Sequence, residues 1–150
     1  MDGGDANGMD HTEYWDEISE LSQRAGIASE EFVPPEDPPD EARAMEFLRN
    51  GVGPAIMVYV DARTGEWIRF PPVEHSLLER TLNEFLELYA RCYGYDIDCE
   101  FTIREAAETL IETHNVKDTA QILTHVPPRE EMPDGWSGGA HDNRTNRRER

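Results

Sequence analysis

The chain has 150 residues, of which 32 are acidic and 14 basic, and its formal net charge is −18. Such a charge argues against non-specific binding to nucleic acid or anionic lipid at low salt. The sequence also lacks the roughly 18 uninterrupted apolar residues of a membrane-spanning helix.

The basic residues are unusual, because 13 of them are Arg and Lys117 is the only lysine. In dilute buffer the self-repulsion of so many acids opposes the compact state. At about 1 M salt the Debye length falls to about 3 Å and the repulsion is largely screened. We therefore expect a protein of a high-salt cytosol. Residues 1–5 do not resemble a signal peptide, which agrees with a soluble, cytoplasmic protein.

The N-terminal part predicts a disordered start, one helix and a linker. Residues 1–9 are rich in Gly, Asp and Asn and have little to pack. Asp10 with Glu13 predicts a capping box, and an amphipathic helix over 10–26 follows with an apolar stripe of Tyr14, Ile18, Leu21 and Ala25. Acidic, proline-rich residues 27–39 predict an extended linker. Whether the helix packs on the rest of the chain is left open.

A short helix and a β-hairpin are expected next. The helix would run from about residue 40 to 50 and end at Gly51. Residues 55–60 form a continuous apolar run with β-branched members, which favours a strand buried on both faces. Residues 67–70 would return as the second arm of a hairpin over 55–70.

The second half predicts further helices around one more strand. Ser76 with Glu79 predicts a capping box, before apolar residues at helical spacing: Leu78, Leu82, Phe85, Leu86, Tyr89 and Tyr93. Residues 96–101 alternate between acidic and apolar side chains, which is typical of a half-buried strand.

Two last helices are predicted before the C-terminal tail. Thr102 with Glu105 is a second capping box, and Asn115 would end that helix in a left-handed conformation. Asp118 would cap a final helix that runs through Leu123.

The order of these elements predicts an α+β domain over residues 40–126. It would contain a small three-stranded sheet, made of hairpin 55–70 and strand 96–101, covered by helices. Residues 127–150 are rich in Pro, Gly, Asn and Arg and predict a disordered tail.

The predicted strand suggests a metal site. Asp96, Asp98 and Glu100 would project from one face of it, and carboxylate oxygens are ligands for Ca²⁺ or Mg²⁺. The alternative is a solvated acidic face. In a chain with so many carboxylates we favour the alternative and expect no cofactor.

Cysteine and histidine form a second candidate site. Cys92, Cys99, His75 and His114 could bind zinc, and Cys92, Cys99 and His114 could form a thiol enzyme. The spacing of the cysteines is C-x6-C, not the C-x2-C of common zinc and redox motifs. Two small buried core residues are the better explanation.

Nucleic-acid binding is an alternative function. Helices 103–113 and 118–123 could form a helix-turn-helix, although an ordinary helical hairpin is the interpretation we favour. The basic groups available are Arg104, Lys117, Arg144, Arg147, Arg148 and Arg150.

Aromatic residues suggest a protein partner. Trp and Tyr dominate interface energetics, and the aromatic residues expected at such a contact are Tyr14, Trp15, Trp67 and Phe70. The edge of hairpin 55–70 would allow a homodimer through sheet extension.

Four segments, 58–65, 88–94, 103–108 and 119–124, resemble small acidic proteins of unassigned function from salt-loving archaea. The resemblance implies a compartment and an adaptation to salt, not a mechanism. We therefore expect a non-enzymatic protein-interaction or regulatory domain of a high-salt cytosol, with an unknown partner or itself. A nucleic-acid-binding regulator and a small metal-dependent or thiol enzyme are the alternatives.

Overall fold

A computed structural model describes residues 12–65 and 69–128. Its elements, in chain order, are α1 (Trp15–Glu31), α2 (Glu41–Phe47), a π-helical turn (Leu48–Val52), α3 (Gly53–Thr64), α4 (Pro72–Cys92), α5 (Ile103–Thr113) and α6 (Val116–Thr124). The described residues contain no β-strand, so the predicted α+β fold with a three-stranded sheet is wrong. Within the same residues, no helix is both long and apolar enough to cross a membrane.

Helix α3 replaces the first arm of the predicted hairpin 55–70. Its residues Ala55, Ile56, Val58 and Ala62 are at most 2% exposed, because α1, α4 and α5 pack against it. Its partly exposed face begins with the apolar residue Met57, so residues 55–60 look like a doubly buried strand. Without a strand here, the sheet-extended homodimer loses its structural basis.

Helices α2 and α3 are joined without a break by the π-helical turn. The Asp40 side chain caps α2 by accepting a hydrogen bond from the Arg43 backbone N at 3.2 Å. Gly51 does not end the helix as predicted, since it lies inside the π-helical turn. A Cβ at Gly51 would lie 2.3 to 2.6 Å from three ring atoms of Phe85. The glycine therefore lets this turn approach α4 closely.

Helix α4 is the centre of the bundle, as its apolar spacing predicts. Its predicted inward residues Leu78, Leu82, Phe85, Leu86, Tyr89 and Tyr93 are all buried. The predicted capping box at Ser76 is wrong, because α4 already begins at Pro72. Proline suits the first turn of a helix, where its missing N–H would have no intrahelical partner.

Helix α1 packs on α4, which answers the question that the sequence left open. Ile18, Leu21 and Ala25 are at most 1% exposed. At the start of α1, the backbone N and the hydroxyl of Thr12 donate hydrogen bonds of 2.7 Å to the two carboxylate oxygens of Glu74. Glu74 itself is fully buried. The segment that leads into α1 therefore contacts the first turn of α4 through buried hydrogen bonds, in addition to the apolar packing of α1 on α4.

The predicted strand 96–101 is wrong, since these residues form no strand. We call them, with the residues that follow as far as Ile103, the extended segment. Its backbone bonds to side chains of α4 and not to another strand. Asn83 accepts from the backbone N of Phe101 at 2.8 Å and donates to its carbonyl at 2.9 Å. Glu87 accepts from the Cys99 backbone N at 2.8 Å, and Glu79 accepts from that of Ile103 at 3.0 Å.

The spacing of Glu79, Asn83 and Glu87 along α4 explains why they bond to alternate residues of the extended segment. Four residues of helix advance about 6 Å, and two residues of extended chain advance about 6.6 Å. Glu79, Asn83 and Glu87 therefore meet every second residue of the extended segment. We call these three side chains the α4 ladder.

Helices α5 and α6 form a tight hairpin. The capping box of Thr102 and Glu105 is confirmed. His114, not Asn115, ends α5 in the left-handed conformation, with φ 58° and ψ 28°. Asn115 caps α6 by accepting from the Asp118 backbone N at 3.0 Å. The predicted cap at Asp118 is wrong, since that residue is buried within α6.

Candidate functional site

A groove of about 740 Å³ lies between the α2–α3 helical stretch and the turn that joins α5 to α6. We call it the methionine groove. Ten residues line it: Met45, Leu48, Arg49, Gly53, Pro54, Met57, His114, Asn115, Val116 and Lys117.

Two uncommon backbone features border the methionine groove. One is the π-helical turn, which supplies Leu48 and Arg49, and such turns occur frequently at functional sites. The other is the left-handed backbone of His114, a conformation that few non-glycine residues adopt. Gly53 and Val116 lie next to each other in the lining, since a Cβ on Gly53 would lie 3.5 Å from the Val116 side chain.

The lining of the methionine groove is apolar and cationic. Leu48 is buried, Met45 is half-buried, and Met57 is 42% exposed. Arg49, Lys117 and His114 supply the positive or protonatable groups. Among the ten described residues that line the groove, none is acidic, although 32 of the chain's 150 residues are Asp or Glu. The lining therefore differs from the acidic composition of the chain as a whole.

A second groove, of about 440 Å³, lies beside the α4 ladder and has the opposite charge. Its lining includes Glu79, Glu84, Glu87 and Glu100, with Arg80 as a cation. Glu79 and Glu87 accept hydrogen bonds from the extended segment. These two carboxylates thus serve the fold.

The structure does not gather the predicted metal ligands. Asp96, Asp98 and Glu100 are exposed, and the Asp96 side chain is 89% exposed, 3.9 Å from Arg91. Across residues 12–65 and 69–128, no group of three His, Cys, Asp or Glu side chains could hold a metal ion. The same finding applies to the proposed zinc set of Cys92, Cys99, His75 and His114.

The two cysteines are buried and free. Burial raises the pKa of the Cys92 thiol to about 11. Burial, together with the nearby Glu87 carboxylate, raises the pKa of the Cys99 thiol to about 12. Because the thiolate is the nucleophilic form, both groups are poorly suited to the thiol chemistry considered from the sequence.

We expect both thiols to resist a chromogenic disulfide reagent at pH 8 in the folded protein and to react fully in denaturant. Folding favours the protonated thiols, so their stabilising effect is complete below the unfolded pKa of about 9 and is lost as the pH rises toward the folded values. Denaturant titrations at pH 8 and pH 10 measure this loss. Rapid labelling of either folded thiol at pH 8 would contradict the burial.

Two of the candidate nucleic-acid groups, Arg104 and Lys117, lie in the described residues. Arg104 is exposed on α5 and pairs with Glu108 at 3.1 Å. Thr119 and Gln121 of the expected reading helix are buried, and Lys117 lines the methionine groove. The remaining members of the set, Arg144, Arg147, Arg148 and Arg150, lie outside the described residues.

The predicted partner-binding aromatics are only partly brought together. The rings of Tyr14 and Phe70 meet edge to face with centroids 6.0 Å apart, and Phe70 is 8% exposed. Their contact is internal, between the start of α1 and the segment before α4. Trp15 is half-buried beside Tyr14, and Trp67 lies outside the described residues.

Sequence reasoning missed the methionine groove. Met45 and Leu48 lie in the predicted short helix over residues 40–50, and Met57 lies in the apolar run that predicted a buried strand. The sequence Gly51-Val52-Gly53-Pro54 could have indicated the groove. It interrupts the run of helix-forming residues but does not end the helical stretch. Two glycines so placed indicate close approaches of neighbouring elements.

No curated protein and no solved structure matches the chain significantly. A family described as Domain of unknown function (DUF8055) matches residues 12–128. The match runs from Thr12, which binds Glu74, to Pro128 after α6, and so includes α1 and the linker as well as the later helices. The chain belongs to this DUF8055 family.

Proposed function

We propose that this protein is a non-enzymatic, helical protein-interaction domain that binds a partner protein in the methionine groove. The observation that carries the proposal is the groove's lining, in which Met45, Leu48 and Met57 lie beside Arg49 and Lys117. Methionine side chains are flexible and polarisable, and they adapt to the shape of a bound partner. The two backbone features at its border add support.

We also propose that the protein works in a high-salt cytosol and is of the haloarchaeal type that its sequence resembles. The support is the net charge of −18 and the single lysine. Screening at high ionic strength would offset the repulsion among these carboxylates.

The salt dependence of the fold tests this second proposal. We expect helical circular dichroism to be native at about 2 M KCl and to weaken below about 0.5 M, since the Debye length grows as salt is removed. An uncharged osmolyte at equal osmolality is the control, because it does not screen charge. An unchanged spectrum in salt-free buffer would contradict the adaptation.

The groove is tested by affinity capture from native lysate in multimolar KCl with three tagged forms of the protein. Met57→Glu places a carboxylate in the groove. Ile111→Glu changes an apolar residue on α5 that is outside the groove lining and is 59% exposed, compared with 42% for Met57. We expect one protein to be captured at fixed stoichiometry by the wild type and Ile111→Glu, and to be lost with Met57→Glu.

Circular dichroism must first show that all three forms are folded. Capture that is equal for the three forms, or absent from all, would refute the role of the groove. Capture of further copies of the same chain, lost only in Met57→Glu, would identify the partner as a second copy.

A further inference from the structure

We propose that Arg24 of α1 holds the π-helical turn in its register, so that the packing of α1 on α4 is coupled to the conformation of this turn. The contact that carries the proposal is a hydrogen bond of 3.0 Å, which the Arg24 guanidinium donates to the Asn50 backbone carbonyl. This coupling does not depend on what the methionine groove binds.

The Asn50 carbonyl lacks its usual helical partner. In an α-helix it would accept from the backbone N–H of the residue four positions later, but that residue is Pro54, which has no N–H. The backbone nearby is also irregular, because the Gly53 N–H donates to the Leu48 carbonyl five residues earlier. Arg24 therefore supplies a donor in place of the missing N–H.

The bond to Arg24 is specific to the observed register. Each residue of an α-helix turns by about 100°, so if the wide turn became α-helical, Asn50 would rotate by about this angle relative to α3. Its carbonyl would then point away from α1. The same rotation would move Gly51 away from Phe85, against which it packs so closely that a Cβ would lie 2.3 Å from the ring. Helices α1 and α4 thus favour the same register of the turn.

The position of the Arg24 guanidinium depends on the packing of α1. At the start of the helix, Thr12 donates two hydrogen bonds of 2.7 Å to the buried Glu74 carboxylate of α4. The apolar stripe of α1 is buried as well. If α1 moves away from α4, the Asn50 carbonyl loses its donor. The turn that supplies Leu48 and Arg49 to the methionine groove is then no longer held in its register.

Two substitutions of Arg24 and one control test this contact. Arg24→Met keeps a long side chain and a similar helix propensity but donates no hydrogen bond, whereas Arg24→Lys keeps a charged donor. Arg104→Met is the control, because it removes an exposed arginine from α5, where the side chain pairs with Glu108. Arg24 is itself exposed, so we expect all three proteins to fold, and circular dichroism in high-salt buffer checks this.

Amide hydrogen exchange in the same buffer measures the turn and the bundle separately. The Gly53 amide reports on the turn, since it bonds to the Leu48 carbonyl, and the amide of fully buried Leu86 in α4 reports on global unfolding. Relative to Leu86, we expect Gly53 to exchange about threefold to tenfold faster in Arg24→Met, because one hydrogen bond is lost. Arg24→Lys should recover most of this difference, and Arg104→Met should not show it.

Thr12→Val tests the coupling from the opposite end of α1. It removes the hydroxyl that bonds to Glu74 and leaves Arg24 in place. We expect this change to accelerate exchange at Gly53 relative to Leu86 when residue 24 is arginine. In the Arg24→Met background it should have little further effect on Gly53, because the connection is already broken.

Unchanged exchange at Gly53 in folded Arg24→Met would overturn the proposal, and so would a rise no larger than that at Leu86. Equal acceleration of Gly53 by Thr12→Val with either residue at position 24 would show that α1 does not act on the turn through Arg24. None of these outcomes decides the proposed function, which the lysate capture tests separately.

Discussion

Replacing Gly51 by alanine is expected to lower the free energy of unfolding by about 2 kcal/mol. The new Cβ would lie 2.3 Å from the nearest ring atom of Phe85, far inside van der Waals contact. Phe85 is 3% exposed and its ring also packs against Phe47, at 6.5 Å between centroids, so it has little room to move. Overpacking costs about 1 to 3 kcal/mol, and a contact of 2.3 Å with a buried ring places this change at the upper end of the range. About 2 kcal/mol therefore remain after alanine's better helix propensity recovers about 1 kcal/mol.

Gly26→Ala is the matched control for this change. Gly26 also lies inside a helix, α1, but a Cβ there would meet nothing within 4 Å. We expect this variant to be stabilised by about 1 kcal/mol through helix propensity alone. Chemical denaturation in the same high-salt buffer measures both changes.

A second variant identifies Phe85 as the cause. Adding Phe85→Leu to Gly51→Ala removes the ring that the new methyl group meets, so the two changes together should cost less than the sum of their separate effects. Additive costs, or a Gly51→Ala protein as stable as the wild type, would show that the π-helical turn does not rest on this ring.

The helices with a narrow apolar stripe could be predicted from the sequence. Leu78, Leu82 and Phe85 recur at helical spacing and face one core. The capping box at Thr102 involves residues only three positions apart. Apolar spacing and a capping box both involve residues that are close in the sequence. The sequence therefore predicts that α4 is a helix and that α5 begins after Thr102.

The predictions that were wrong concern segments whose surroundings are formed by residues far away in the sequence. Helix α3 packs against three other helices and carries apolar Met57 on its exposed side, so residues 55–60 lack the polar face that distinguishes a helix from a strand. The segment 96–101 has the alternation of a strand, but helix side chains satisfy its backbone. A sequence pattern shows which side chains are buried and does not show what buries them.

The methionine groove could not be predicted for the same reason. Its two walls, residues 45–57 and 114–117, are separated in the sequence by the second half of α3 and by all of α4 and α5. They meet where Gly53 faces Val116, since a Cβ on Gly53 would lie 3.5 Å from the Val116 side chain. Lys117 was singled out as the only lysine, but its place beside Arg49 depends on that packing.

Replacing Asn83 by leucine is expected to lower the free energy of unfolding by about 3 kcal/mol. The Asn83 amide makes two hydrogen bonds to the backbone of Phe101, of 2.8 and 2.9 Å, and a third of 2.8 Å to the Glu79 carbonyl. Leucine has a similar size and can make none of them. Each partly buried backbone group left without a partner costs about 1 to 3 kcal/mol.

Glu87→Gln is the control within the same ladder. The amide oxygen of glutamine can still accept the hydrogen bond from the Cys99 backbone N, so we expect a loss below about 1 kcal/mol. This pair of variants separates the loss of a backbone partner from a change of side chain on the same face of α4.

Amide hydrogen exchange measures the opening of individual backbone hydrogen bonds, which a measurement of global stability does not resolve. In Asn83→Leu, the Phe101 amide should exchange faster than the wild-type amide even after correction for global unfolding, while the Cys99 amide, still held by Glu87, should be affected less. Equal acceleration at both amides would mean that the segment opens as one unit. Unchanged exchange at Phe101 would mean that burial of its apolar side chains, and not the α4 ladder, holds the extended segment on the helix.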